Sequence, residues 1–241
     1  MKLNVPNPNI SIPDNIYFKG KNIHLSQYDE SHDVAMKKLL SCPNSMKNLE
    51  FMSKLPEGWT LEESRKRREY RNKKQHEGAM ANLTILIPKS NLLKLGVADL
   101  FDESEFLFPN PEKDSSTKID LNEPYIVAGC CGLQEIVLDQ AIGECGIILD
   151  YRLWRGGIGS EALLRVLEYG FEGLQLHRIS FKTTEKNDGM RGWLERYCGI
   201  ELESIEKECI FFDGVFIDSY TYAIFERDWH SHISKLLEKY Q

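Results

Sequence analysis

This 241-residue chain lacks most of the features that assign a protein to a class at a glance. No run approaches the ~20 apolar residues that a membrane-spanning helix needs. The opening MKLNVPNPNISIPDN has no apolar core of the kind a secretory leader carries. Cysteine is sparse: Cys42, Cys130, Cys131, Cys145, Cys198 and Cys209 are scattered, with no CxxC and no histidine at ligand spacing. That argues against a disulfide framework and against a metal site, and it suits free thiols in a reducing compartment. The expected location is therefore cytoplasmic, with the nucleus as the alternative. Two phosphate motifs are missing as well. GxxxxGK[ST] fails because no lysine precedes Ser160, and no GxGxxG occurs. Positive charge is in deficit, and the formal net charge of −7 argues against nucleic acid as the main partner and accords with an amine substrate. The oligomeric state stays open.

What is present centres on residues 142–176. An apolar strand from Cys145 to Leu149 leads through a short connector to Arg155-Gly156-Gly157-Ile158-Gly159-Ser160. That turn opens a helix whose Leu163, Leu167, Phe171 and Leu174 recur at a period near 3.6. Glycines let the backbone turn where side chains would block it. The first N–H groups of a helix have no internal acceptor and sit at the positive end of its dipole, so the turn is a candidate anion site. Arg155 can add a full positive charge at its edge. A tight structural turn is the competing reading.

Around this centre the pattern is α/β. Residues 1–16 are expected to be a loose leader. Asn22 to Leu25 reads as a short strand, and residues 29–40 as a helix with its cap at the start. Thr60 and Glu63 have capping-box spacing and open a second helix. Its continuation, SRKRREYRNKKQ, is strongly basic; a solvated face is expected, with an anion-binding or ribosome-facing surface as the alternative. Ala81 to Ile87 and Tyr125 to Leu133 read as two paired strands. The Pro-containing, acidic stretch 89–123 between them is expected to be a partly mobile surface insertion. His177 to Thr183 alternates as a strand and closes a βαβ unit with the central strand, the two lying parallel. A helix from Met190 to about Cys198 follows. The chain then closes with a hairpin, Glu208 to Phe212 and Val215 to Phe225, turning at Asp213-Gly214. One domain over 17–230 with a tail at 231–241 is expected, built on a twisted mixed sheet with helices on both faces.

Several spaced residues carry a family resemblance. Leu149-Asp150, Trp154, Gly157-Ile158-Gly159 and Ser160-Glu161-Ala162 resemble the acetyl-CoA signature of the GNAT superfamily of N-acetyltransferases. The similarity is to the branch acting on ribosomal-protein N-termini and small amines. Asn187, Met190 and Glu195 keep the spacing of the segment after the cofactor helix, with one extra residue beyond Glu195. Gly214, Asp218, Tyr222 and Asp228-Trp229 fit the closing hairpin, so the resemblance spans about 17–229 apart from the insertion.

The resemblance implies a mostly antiparallel sheet with acetyl-CoA as cofactor. It implies direct transfer of an acetyl group to an amine acceptor, either a protein N-terminus or a small molecule. It further implies that the central strand splays, so that Ile147, Ile148 and Leu149 offer free amides to the cofactor arm. The turn Arg155, Gly156, Gly157, Ile158, Gly159 and Ser160 would hold the pyrophosphate, and Asn187 would bond the arm, although an Asn-Asp-Gly run equally suits a plain turn. Glu144 stands where relatives place the general base, and Tyr197 is a candidate acid. A non-catalytic member of the same fold is the alternative.

Overall fold

The computed structural model describes residues 4–109 and 121–241. The apolar run near residue 81 forms a strand, β3 (Ala81–Pro88), buried along its whole length. Its two faces differ, however. Ala81, Leu83, Ile85 and Ile87 enter the main apolar core, while Asn82 and Thr84 are buried on the other side. Successive side chains of a strand point to opposite faces, so this alternation divides the molecule into layers.

β3 pairs antiparallel with β4 (Tyr125–Val137), and β4 pairs antiparallel with β5 (Ile142–Leu149). Outside β3 lie the short β1 (Tyr17–Lys19) and β2 (His24–Gln27), the latter two residues beyond the expected position. On the far side come β6 (Arg178–Thr184), β7 (Leu202–Phe212) and β8 (Val215–Phe225). The order across the eight-stranded sheet is β1-β2-β3-β4-β5-β6-β8-β7. Every pair is antiparallel except β5 with β6. Asp213 and Gly214 both take left-handed φ, 50° and 77°, as a two-residue hairpin turn requires.

One face is covered by α3 (Ile158–Glu168). Its Ile158, Ala162, Leu163 and Leu167 join Leu83, Ile85 and Cys145 in the main core. The helix continues through a wider turn, Tyr169–Gly173, which buries Phe171. The opposite face is covered by α1 (Asp33–Leu40) and α2 (Leu61–His76). Here α1 packs Met36, Leu39 and Leu40 on Cys130 and Ile148. Thr60 and Glu63 form the expected reciprocal cap at the start of α2.

α2 corrects the expectation of a solvated basic face. Its inward side is polar: Ser64 and Gln75 are buried, and Arg68 pairs with the buried Asp33 at 3.0 and 3.1 Å. Asn72 donates to the Tyr28 carbonyl at 2.9 Å, and Arg71 Nε donates to Asn82 Oδ1 at 2.8 Å. The helix is held to the sheet by hydrogen bonds and an ion pair, because it has almost no apolar residues with which to pack. An arginine is ordinarily a surface residue, so a basic block reads as solvated until its neighbours in the fold are in place.

Three peripheral expectations are also corrected. The leader is not loose, since Ile12 and Ile16 are in the main core and Asn4 Nδ2 donates to the Leu176 carbonyl at 3.0 Å. The insertion is not confined to the surface: Leu92, Phe101 and Phe106 reach the same core, and a short helix runs over Lys89–Lys94. Residues 110–120 of it lie outside the described part. Nor is 231–241 a free tail, because Ile233 and Leu237 are buried beside α3. In each case isolated apolar residues in a polar stretch anchor the chain without creating a period.

Candidate active site

The parallel β5–β6 ladder is short. Ile142, Gly143 and Glu144 face Arg178, Ile179 and Ser180, and the pairing stops there. Beyond that point β5 stays bonded only to β4 and β6 only to β8. Two strands that part in this way leave one edge of each unpaired, and such backbone groups need outside partners. The gap opens into a cleft of about 240 Å³. Glu144, Gly146, Ile147 and Ile148 of β5 line it, with Phe181, Lys182 and Thr183 of β6, Asn187 and Met190.

Gly146 is exposed on the strand, and a Cβ there would meet nothing within 4 Å. The missing side chain keeps the cleft open. Glu144 sits beside it on the α1–α2 face. Gln134, its register partner on β4, donates to Glu144 Oε1 at 2.6 Å, and Lys182 Nζ is 3.5 Å from Oε2. The carboxylate is therefore held in one orientation, 15% exposed, at the mouth of the gap.

Below the gap the chain passes Asp150, which accepts from the Arg152 amide at 3.0 Å. Arg152 also holds Glu105 through both guanidinium branches at 2.9 Å, so the insertion is tied to the segment that precedes the glycine turn. These two carboxylates raise the Arg152 pKa, and the Arg152 hydrogen bond is the main cause that lowers the Glu105 pKa. The Trp154 indole donates to the Leu149 carbonyl at 3.0 Å. Arg155 then takes φ 65° and Gly157 φ 83°, which turns the chain sharply into α3. Glu161 N–H is bonded to the Gly157 carbonyl at 2.9 Å. The amides of Ile158, Gly159 and Ser160, one turn earlier, have no helical acceptor. Gly159 lies against Ile147 and Leu149, which joins the turn to the end of the gap. Glu161 itself is fully buried and accepts from Asn22 N and Nδ2, 3.0 and 2.8 Å, fixing α3 against the β1–β2 turn.

The cleft beside the free edge of β5 and the turn at the start of α3 thus adjoin each other. An arm between β5 and β6 and a pyrophosphate on the α3 N-terminus would both find donors. A family model for the acetyltransferase (GNAT) domain matches residues 23–199. The chain belongs to the GNAT acetyltransferases.

Named relatives accord with that. Over 108 residues this GNAT chain is 30% identical to an uncharacterized N-acetyltransferase, p20, of Bacillus licheniformis, covering 43% of this chain and 57% of the relative. Over 104 residues it is 31% identical to the uncharacterized N-acetyltransferase YnaD of Bacillus subtilis (strain 168), covering 42% and 61%. The matches therefore span less than two thirds of either relative. Among solved structures, a GCN5-related N-acetyltransferase from Brucella melitensis superposes with a TM-score of 0.67 at 16% identity, over 98% of this chain and 88% of the other. A ribosomal L7/L12 alpha-N-protein acetyltransferase in complex with coenzyme A gives 0.59 at 19% identity, over 89% and 97%. These likenesses establish the GNAT fold, a mixed and mostly antiparallel open sheet with helices.

Most of the site residues expected from sequence come together in this GNAT chain. Glu144, Ile147, Ile148 and Asn187 line the cleft. Leu149 and the turn from Arg155 through Gly156, Gly157, Ile158 and Gly159 to Ser160 continue it. Asn187 caps the following helix, α4 (Asp188–Gly192), by accepting from Met190 N at 3.2 Å, as the turn reading required. Its Nδ2 has no partner among the described residues. Tyr197 does not line the cleft. It packs near Trp193, with Lys239 Nζ 5.1 Å from its ring centroid, and its hydroxyl neighbours that of Tyr240. The helix widens into a broader turn over Trp193–Tyr197, which turns Tyr197 toward the chain end. Sequence reading missed Gln134, Lys182, Arg67 and Arg71, all of which line the cleft. The i,i+4 spacing of the two arginines in the basic block was the available signal.

Proposed function

We propose that this protein is an acetyl-CoA-dependent N-acetyltransferase whose reaction takes place in the β5–β6 gap beside Glu144. The observation that carries the reading is the end of the parallel ladder at Glu144 and Ser180, directly above a glycine turn with free helix amides. Acetyl-CoA, when bound, supplies the acetyl group as an activated thioester.

The chain's own residues do the rest. Ile158, Gly159 and Ser160 offer N–H groups to a pyrophosphate, and Arg155, exposed and with no ion-pair partner among the described residues, adds a positive charge. Backbone amides of the β5 edge bind an amide-bearing arm and can polarise a carbonyl placed among them. The Glu144 carboxylate, steered by Gln134, takes the proton from an incoming ammonium, so that the amine becomes nucleophilic. No side chain need carry the acetyl group. Cys145, the nearest thiol on the strand, is fully buried and its pKa is pushed well up by desolvation, which keeps it from forming a thiolate. The acceptor is a protein N-terminus or a small primary amine.

The test is transfer itself, in wild type and in Gly146→Val. Purified protein, acetyl-CoA and a panel of primary amines should release free CoA and yield acetylated amine. Gly146→Val should fold normally and lose on the order of 100-fold in kcat/KM, because a branched side chain then occupies the gap. No transfer to any amine by wild type, or full activity in Gly146→Val, would overturn the assignment.

A further inference from the structure

Two of the residues lining the cleft have no counterpart in the chemistry described so far. Arg67 and Arg71 stand one turn apart on the inward face of α2, so their heads are neighbours. Arg67 Nη1 is cut off from solvent and has no hydrogen-bond partner among the described residues. Arg67 Nη2 reaches only the Cys130 sulfur, at 3.8 Å. Arg71 is anchored through Nε to Asn82. Among the described residues neither guanidinium has a carboxylate partner, although the chain as a whole carries a formal charge of −7. Arg71 is the clearer case of the two: burial first, and the Arg67 charge second, lower its pKa to about 10. Two half-buried cations left side by side repel each other, and an anion placed between them would be held by charge-assisted hydrogen bonds from both.

The register of the sheet sets where that anion would lie. Asn82 faces Gly132, and Gly132 faces Gly146, so the Arg71 anchor is two strands from β5. Glu144 is two residues further along β5. With strands ~4.8 Å apart and ~3.4 Å per residue, the arginine pair and the Glu144 carboxylate are on the order of 10 Å apart.

Resting on the acetyltransferase reading above, we propose that Arg67 and Arg71 select acceptors carrying a carboxylate about 10 Å from the amine. The amine lies at Glu144 and the carboxylate bridges the two guanidiniums. An α-amino acid is too short to reach both. An extended peptide covers the span in about three residues, so an acidic side chain at its second or third position fits. An elongated ω-amino carboxylate meets the same condition.

The experiment compares matched acid and amide acceptors. Short peptides with Asp or Glu at position two or three are set against their Asn or Gln twins. A long ω-amino acid is set against its terminal amide, and glutamate against its α-amide. Each is measured for turnover, and for binding to the CoA-saturated protein by calorimetry. Wild type should favour the acid by roughly 10- to 100-fold, mainly through KM. Whether the peptide or the ω-amino acid shows the preference identifies the source of the carboxylate. In Arg67→Gln and Arg71→Gln the preference should fall toward one, with acetyl-CoA affinity kept. Arg67→Lys and Arg71→Lys retain the charge and should keep part of it. Equal handling of acid and amide by wild type would overturn the inference, as would a preference that survives the Arg67→Gln/Arg71→Gln pair or a preference for glutamate over the longer acids. Selective binding without turnover would leave the arginine site standing and remove the transferase reading instead.

Discussion

Glu144 has the most exacting position of any single residue. It stands at the last rung of the parallel ladder, with one carboxylate oxygen held by Gln134 and the other near Lys182. Glu144→Gln keeps the shape and deletes the proposed base. General-base catalysis contributes roughly 10²–10⁴-fold, so kcat/KM at neutral pH should fall by about that factor. Raising the pH supplies free amine without help and should restore much of the loss. A pH–rate profile of the two proteins decides the matter. Parallel profiles with equal rates would remove Glu144 from the chemistry. The position of Glu144 was legible because strand, turn and helix follow one another in the sequence around it. Arg67 and Arg71 were legible only as an i,i+4 pair within the basic block, because nothing local distinguishes an arginine that turns inward from its solvated neighbours. Tyr197 was misjudged for a related reason: the widened turn over Trp193–Tyr197 redirects its side chain, and nothing in the local residues announces such a turn.

At the scale of elements, α2 is the unusual piece. A helix normally docks by an apolar stripe. This one docks through Ser64, Arg68, Arg71, Asn72 and Gln75, with the Arg68–Asp33 pair at its centre. The side chains of that pair are only 15% and 7% exposed. Removing one partner leaves the other charge buried, so Asp33→Ala should cost about 3–5 kcal/mol. Replacing both, as Asp33→Ala with Arg68→Met, should recover part of it. Urea unfolding of the two variants measures this, and a loss below about 1 kcal/mol in Asp33→Ala would show that the helix is held otherwise. Ends of elements were easier to foresee than their docking. The Thr60–Glu63 cap and the Asp213-Gly214 turn are written in adjacent residues, whereas β7 begins at Leu202, six residues before the expected start. Its Glu- and Lys-rich first half has no apolar period, and it is a strand only because β8 supplies a partner.

For the molecule as a whole, the insertion and the chain ends belong to the framework that holds the site. Leu92, Phe101 and Phe106 sit in the core, and Glu105 grips Arg152 just before the glycine turn. Replacing 89–123 with a short Gly/Ser linker should therefore abolish cooperative thermal unfolding, since three large buried side chains leave at ~3 kcal/mol or more each. An intact, cooperative melt in that deletion would refute the packing role. A further contribution to acid sensitivity comes from one residue. His32 is fully buried, with its pKa lowered to about 4 by desolvation, against which the Asp29 charge works and with which Arg68 cooperates. Its Nδ1 accepts from the Asp29 amide at 3.3 Å, so the folded protein keeps the neutral ring. The unfolded chain takes up this proton near pH 6.5 and the folded one only near pH 4. The His32 contribution is full above pH 6.5 and drains away as pH falls through that window, by about 3 kcal/mol in total. The difference between wild type and His32→Gln in denaturation free energy, followed from pH 7 to 4, isolates the effect. A flat difference would dismiss it.

The account rests on the β5–β6 gap and the α3 turn forming one acetyl-CoA site, and calorimetric titration of acetyl-CoA into wild type and Gly156→Asp tests that most directly. A Cβ at Gly156 meets only the Leu153 carbonyl at 3.5 Å, and its φ lies outside the left-handed region, so aspartate there should fold without strain. A carboxylate near the start of a helix is even mildly stabilising. It would, however, stand where the proposed pyrophosphate site lies. Wild type should bind acetyl-CoA at one site per chain, and Gly156→Asp should bind at least about tenfold more weakly with an unchanged melting temperature. No binding by wild type, or equal affinity in the folded variant, would contradict the account.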